Sequence, residues 1–119
     1  FAVKGTIWYQ GEGNSGQPTE YVQIFPLLIE EFRSNFRNPD MPFYFVQLPR
    51  LVKANWAPIR QAQLDIWKAT RNTFMAVTID VPMDYEPNNV PIHPSIKRPV
   101  GERLAFAARH YVYGETALV

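Results

Sequence analysis

The stretch Trp8-Tyr9-Gln10-Gly11-Glu12-Gly13-Asn14 decides how the chain is read. The six residues before it, Ala2-Val3-Lys4-Gly5-Thr6-Ile7, are largely apolar and predict a buried strand running from roughly Ala2 to Tyr9. Polarity, two glycines and two amides then arrive together. In an open α/β sheet, ligands bind outside the carboxyl ends of the strands, so a polar, glycine-rich turn there is a candidate site. Gly11 and Gly13 permit positive φ or a close backbone approach. Asn14 can aim an amide N–H at whatever lies above the strand. An ordinary β–α turn rich in Gly and Asn accounts for the same residues, because short motifs are weak.

After the turn from Gln10 to Pro18, a helix is predicted from about Thr19 to Phe36, with Thr19 as its N-cap. Tyr21, Phe25, Leu28 and Phe32 form one apolar stripe. Pro26 inside this helix lacks an N–H and is expected to kink it. Phe43-Tyr44-Phe45-Val46-Gln47-Leu48 is apolar without alternation, which suits a strand covered on both faces. A loop with Arg50, Lys53, Asn55 and Trp56 leads to a helix starting near Pro58, with Ile59, Ala62, Ile66 and Ala69 as its buried stripe. Phe74 to Asp80 is a third strand ending in an acid. The long loop Val81 to Pro94 holds four prolines and His93. Loops of this length are often functional. A last helix is expected from about Ser95 or Ile96 to Tyr113, with Val100, Leu104, Ala107 and Tyr111 facing inward and Gly114 as its stop. The order β-α-β-α-β-α implies a parallel sheet with right-handed crossovers.

The chain has 119 residues, enough for one domain, with 46% hydrophobic and 14% aromatic residues to build a core. A net charge of +1 gives no pull toward nucleic acid or an anionic membrane surface. No apolar run approaches the roughly 18 residues of a membrane span. There is no cysteine and there are two histidines, so neither thiolate chemistry nor a zinc site is expected, and no cofactor is called for. Three strands make a thin sheet, and the first is an apolar edge that invites pairing. The chain opens directly in that strand, so a preceding part of the same domain is expected.

All three strand ends carry polar groups on what should be one rim: Gln10 to Asn14, Gln47, and Asp80 with its loop. Trp56, Arg60 and His93 hang from loops and helix starts beside it. His93 can accept and return a proton near neutral pH, although a lone histidine beside a proline is often just a surface residue. His110, inside the last helix, reads as structural or exposed. Glu12, Asp80, Asp84 and Glu86 lack the spacing of a glycosidase pair. Acyl transfer fits a lone histidine better, and it needs a nucleophile. Ser15 lacks a G-x-S-x-G elbow and reads as a loop serine, while Ser34 and Ser95 are weaker still. No nucleophile is evident in these residues.

Lys4-Gly5-Thr6-Ile7-Trp8-Tyr9-Gln10-Gly11-Glu12-Gly13-Asn14, Ile92-His93-Pro94 and Val100-Gly101-Glu102-Arg103-Leu104-Ala105 together resemble the sialate O-acetylesterase family of SGNH-type serine hydrolases. Tyr21 to Arg33 with its internal Pro26, Pro42 to Leu48, Trp56 with Arg60-Gln61-Ala62-Gln63, and Asn72 to Val77 leading to Asp80 extend the resemblance over nearly the whole chain. It implies a flavodoxin-like, three-layer α/β/α fold. It also implies hydrolysis of acetyl esters on sialic acid through an acetyl-enzyme.

In this resemblance Asn14 matches the family's oxyanion donor and His93 the histidine that activates the serine. The serine block and the block with a glycine donor have no counterpart here. Gln10 and Glu12 would line the site or brace the turn, and Trp56 and Arg60 would contact substrate. Two positions depart from the pattern. Gly13 stands where the family often has Ser, and Val90 and Pro91 stand where many members have an Asp before the His. Asp84, Glu86, Asp80 or a main-chain carbonyl would then orient His93. The implied partners are an acetylated sialic acid or another acetylated glycan, and the preceding part of the domain. The implied compartment is extracytoplasmic: periplasmic, secreted or lysosomal. Two alternatives stand beside this reading. One is an esterase for acetylxylan or another polysaccharide. The other is a non-catalytic sugar-binding remnant using Trp56 and Tyr9 as stacking platforms.

Overall fold

Phe43-Tyr44-Phe45-Val46 forms the central strand of the sheet, buried at every position. The computed structural model describes residues 3–51, 54–81 and 96–116. In chain order they form β1 (Thr6–Trp8), a 3₁₀ turn (Glu12–Asn14), α1 (Pro18–Asn35), β2 (Phe43–Val46), α2 (Ala57–Ala69), β3 (Thr73–Ala76) and α3 (Arg98–Tyr111). The strands lie in the order β1-β2-β3 and both pairings are parallel, as the alternation of strand and helix requires.

Strand pleating sends alternate side chains of β2 into two different cores. Phe43 and Phe45 pack with Tyr21, Phe25 and Ile29 of α1 and Ile59, Ala62 and Ile66 of α2. Tyr44 and Val46 pack with Ala76, Val81, Val100 and Leu104, beneath α3. The result is three layers, with α1 and α2 on one face and α3 on the other. Phe25 sits edge-on to both Phe43 and Phe45, with centroids 5.9 and 5.2 Å apart, in the geometry favoured by aromatic quadrupoles. β1 is an edge strand. Ile7 is in register with Tyr44 yet 67% exposed, because α3 covers β2 and β3 and stops short of β1.

Several expectations are corrected. β1 is limited to the three residues that pair with β2, since an edge strand is defined by one neighbour alone. The N-cap of α1 is Gln17, with Pro18 and not Thr19 opening the helix; as expected, α1 contains Pro26 and runs to Asn35. In α2 the buried positions are Ile59, Ala62, Gln63 and Ile66, while Ala69 is exposed. Tyr111 is 60% exposed, and its ring lies flat on Phe74 at 4.4 Å.

Arg33 holds the far end of the sheet, away from the strand carboxyl ends. It is a charged residue only 1% exposed. Its Nε donates to the Met41 carbonyl at 3.1 Å, and its Nη2 to the carbonyls of Arg71 and Asn72 at 2.7 and 3.3 Å. Nη1 pairs with Glu30. One side chain therefore fastens α1 to the segments that enter β2 and β3.

Candidate active site

Three strands that end side by side need their last carbonyls and amides satisfied, and buried amide side chains do this here. Gln63 of α2 is fully buried. Its Oε1 accepts from the Leu48 amide at 2.9 Å, and its Nε2 donates to the carbonyls of Gln10 and Val46, both at 3.3 Å. It thereby ties the end of β1 to the end of β2. The Tyr21 hydroxyl donates to the same Gln10 carbonyl at 3.3 Å. Gln47 joins β2 to α2 by donating to the Arg60 carbonyl at 2.9 Å. Thr78, beyond β3, donates to the Gln47 carbonyl at 2.7 Å. Among the described residues, the ends of β1 and β2 and the segment after β3 are thus joined in one polar layer, to which none of these bonds links Asp80.

The turn after β1 stands on this layer. Gly11 takes φ +145° and is buried, and a Cβ there would lie 3.0 Å from Gln63 Nε2 and 3.3 Å from Leu48 Cδ1. The positive φ calls for glycine, and any side chain there would also press on Gln63 and Leu48. Gly13 does not take positive φ, and a Cβ there meets nothing within 4 Å. Gly11→Ala is expected to cost about 1–3 kcal/mol and to displace Gln63. Thermal unfolding of the variant checks this, and an unchanged midpoint counts against it.

Asn14 closes the 3₁₀ turn and is half-buried. Its Oδ1 accepts from Gln10 Nε2 at 2.8 Å. With the oxygen end engaged, the Nδ2 end is turned away from Gln10. Asn14 and Gln10 also line a cleft of about 350 Å³ between β1 and α1, otherwise walled by Trp8, Tyr21, Ile24, Phe25 and Leu28. Ser15 is the C-cap of the turn, in keeping with its reading as a loop serine.

The other candidate residues divide. Glu12 opens the turn, half-buried. Arg60 stays beside the rim, reaching Gln47 Oε1 at 3.4 Å through Nη2. Trp56 is corrected: it is 6% exposed and packs in the α1–α2 core, because the residue before α2 turns its indole under the helix. Tyr9 is half-buried, with Lys97 Nζ over one face of its ring at 5.1 Å. Asp80 gives both carboxylate oxygens to Arg103, at 2.7 and 2.6 Å, and Arg103 also donates to the Val77 carbonyl. This pairing holds Asp80 below the usual carboxylate range, chiefly through the Arg103 hydrogen bonds. His93, Asp84 and Glu86 lie outside the described residues.

Sequence reasoning missed three residues of this layer, Gln63, Tyr21 and the buried Thr78. Gln63 carries a legible signal: it stands one turn from Ile59 and three residues before Ile66, a polar residue at a core position. Tyr21 was legible as an apolar position, but not as a donor. Burial pushes the Tyr21 phenol up from 10.0 to about 12, and burial also raises Tyr9 and Tyr44. The raised value means that the native state holds the phenolic proton more tightly than the unfolded chain does. The stability it contributes is whole below pH 10 and is lost as pH rises toward 12, by about 2–3 kcal/mol from Tyr21. Urea midpoints taken from pH 8 to 11.5 should fall, and fall less steeply in Tyr21→Phe. Parallel curves for the two proteins would contradict this.

The family model for carbohydrate esterases described as sialic acid-specific acetylesterases matches residues 2–110. Sialate O-acetylesterase of Mus musculus is 35% identical over 98% of this chain and 25% of its own length. The Homo sapiens sialate O-acetylesterase is 34% identical, also over 98% of this chain and 25% of its own length. The chain thus spans about a quarter of the length of these curated relatives. A crystal structure of a carbohydrate acetylesterase from Xanthomonas citri superposes with a TM-score of 0.81 at 39% identity, covering 98% of this chain and 28% of that one.

Proposed function

The chain belongs to the family of sialic acid-specific carbohydrate acetylesterases, and from that premise we propose that it forms the oxyanion-binding and base-bearing part of a serine O-acetylesterase acting on acetylated sialic acids. The observation that carries the proposal is the Asn14 amide, anchored by its oxygen to Gln10 at the carboxyl end of β1, which leaves its N–H end without a hydrogen-bond partner among the described residues and able to meet a developing oxyanion.

The nucleophilic serine comes from a part of the protein outside these 119 residues. Its hydroxyl proton passes to His93 as Oγ bonds to the acetyl carbon, and the carbonyl oxygen becomes an oxyanion facing the Asn14 amide. Collapse of this intermediate expels the sugar oxygen, which takes the proton back from His93. Water then repeats the sequence on the acetyl-enzyme and releases acetate. In this reading Arg60 and Glu12 contact the glycan. The same substrate implies an extracytoplasmic site of action.

Acetate release from 9-O-acetylated sialic acid and from acetylxylan tests the proposal, using the 119-residue chain alone and the chain joined to the preceding coding sequence. The short chain should be inactive and the longer protein should prefer the sialate ester. Equal activity of the short chain would place the nucleophile within it. A longer protein that hydrolyses neither ester would overturn the reading, and preference for xylan would reassign the substrate.

A further inference from the structure

We infer that Gln10 is a positioning residue that sets which end of the Asn14 carboxamide faces the reacting ester. The inference rests on the oxyanion role proposed for Asn14. A carboxamide has a donor end and an acceptor end of nearly the same shape, and only the donor end stabilises an oxyanion. Rotation of the Asn14 amide by half a turn about its last side-chain bond would present an oxygen to a developing negative charge. Something must select the useful sense.

Gln10 makes that selection. Its Nε2 donates to Asn14 Oδ1 at 2.8 Å, one helical turn back along the chain. The main chain of Gln10 is held in place, because its carbonyl accepts from both Tyr21 Oη and Gln63 Nε2, one from each of the two helices on that face. Gln63 is fully buried and anchored in turn to Leu48 and Val46. The base of the Gln10 side chain is therefore anchored to the end of β2, and its carboxamide reaches Asn14 from that anchored point.

Replacing Gln10 by Glu reverses the selection. At neutral pH the carboxylate has nearly the same shape but only accepts hydrogen bonds, so it pairs with Asn14 Nδ2 and turns the amide oxygen toward the oxyanion. Gln10→Leu merely releases the amide to take either sense.

The experiment measures kcat and KM for an acetyl ester in the active, longer protein carrying Gln10→Leu, Gln10→Glu, Asn14→Ala and each Gln10 change combined with Asn14→Ala. Gln10→Leu should lower kcat about tenfold, the size of one lost hydrogen bond, with KM unchanged. Gln10→Glu should lower it further, to near the Asn14→Ala value. Neither change should add to the loss once Asn14 is Ala. A bracing role would instead favour the near-isosteric Glu over Leu, and would persist without Asn14. Either result overturns the inference, as does wild-type kcat in both Gln10 variants. If Asn14→Ala itself keeps full activity, the oxyanion reading falls first, and that outcome is separable from failure of Gln10 alone. Thermal midpoints of all variants confirm that folded proteins are compared.

Discussion

Asn14→Ala, made in the active, longer protein, is expected to lower kcat for acetyl ester hydrolysis by about 10²–10³-fold while leaving KM nearly unchanged. A carbonyl in the bound ester is neutral, so the Asn14 amide gains little from it. The tetrahedral intermediate concentrates a full negative charge on that oxygen, which in the proposed role the Asn14 amide would meet as a donor. Removing an interaction made only in the transition state costs kcat. Burial of the surrounding layer strengthens the effect, since a hydrogen bond to an anion is worth more where water is excluded. Asn14→Asp should do no better than Ala at neutral pH, because an ionised carboxylate cannot donate and repels the oxyanion. A rise in KM with unchanged kcat would show that Asn14 binds substrate and does not stabilise the oxyanion.

Arg33→Met is expected to remove about 3–5 kcal/mol of stability, read as a lowered urea midpoint. A buried ion pair can often be exchanged for apolar residues at little cost, because both charges leave together. Here the main partners are the carbonyls of Met41, Arg71 and Asn72, which no side-chain substitution removes. Methionine fills much of the volume and takes this donor from the Met41 and Arg71 carbonyls, at a cost of about 1–3 kcal/mol for a buried one, while the Asn72 carbonyl keeps the Phe43 amide at 3.0 Å. Lysine should recover part of the loss, since one ammonium group cannot reach every carbonyl that the planar guanidinium fork spans. The exposed Glu30 contributes little to the difference. A midpoint within error of the parent protein would refute this account.

Both predictions depend on polar residues placed among apolar ones, and this is where the sequence was hardest to read. The unbroken apolar run Phe43 to Val46 announced a strand covered on two faces, and the structure lines two cores with it. The α1 stripe was legible for the same reason, at Tyr21 and Phe25. Arg33 and Gln63 follow the spacing of buried positions, but periodicity scores apolar residues and passes over charged or amide side chains. Their role appears only when main-chain groups from distant segments converge on them. Trp56 fails in the opposite direction. An aromatic residue in a loop beside a candidate rim suggests a sugar platform, and only the packing of α2 shows the indole turned inward. At the site itself the Gly-rich turn was legible as a turn, and Asn14 as its amide. The sense of that amide was not, because it depends on a hydrogen bond rather than on residue type.

The contact between Gly11 and Gln63 has an evolutionary consequence. The two positions lie on different elements, yet the space a side chain would need at one is taken by the other, 3.0 Å away. Aligned relatives should therefore show the pair changing in concert: any member with a larger residue at the place of Gly11 should carry a shorter one at the place of Gln63, and should find another donor for the carbonyl that ends its first strand.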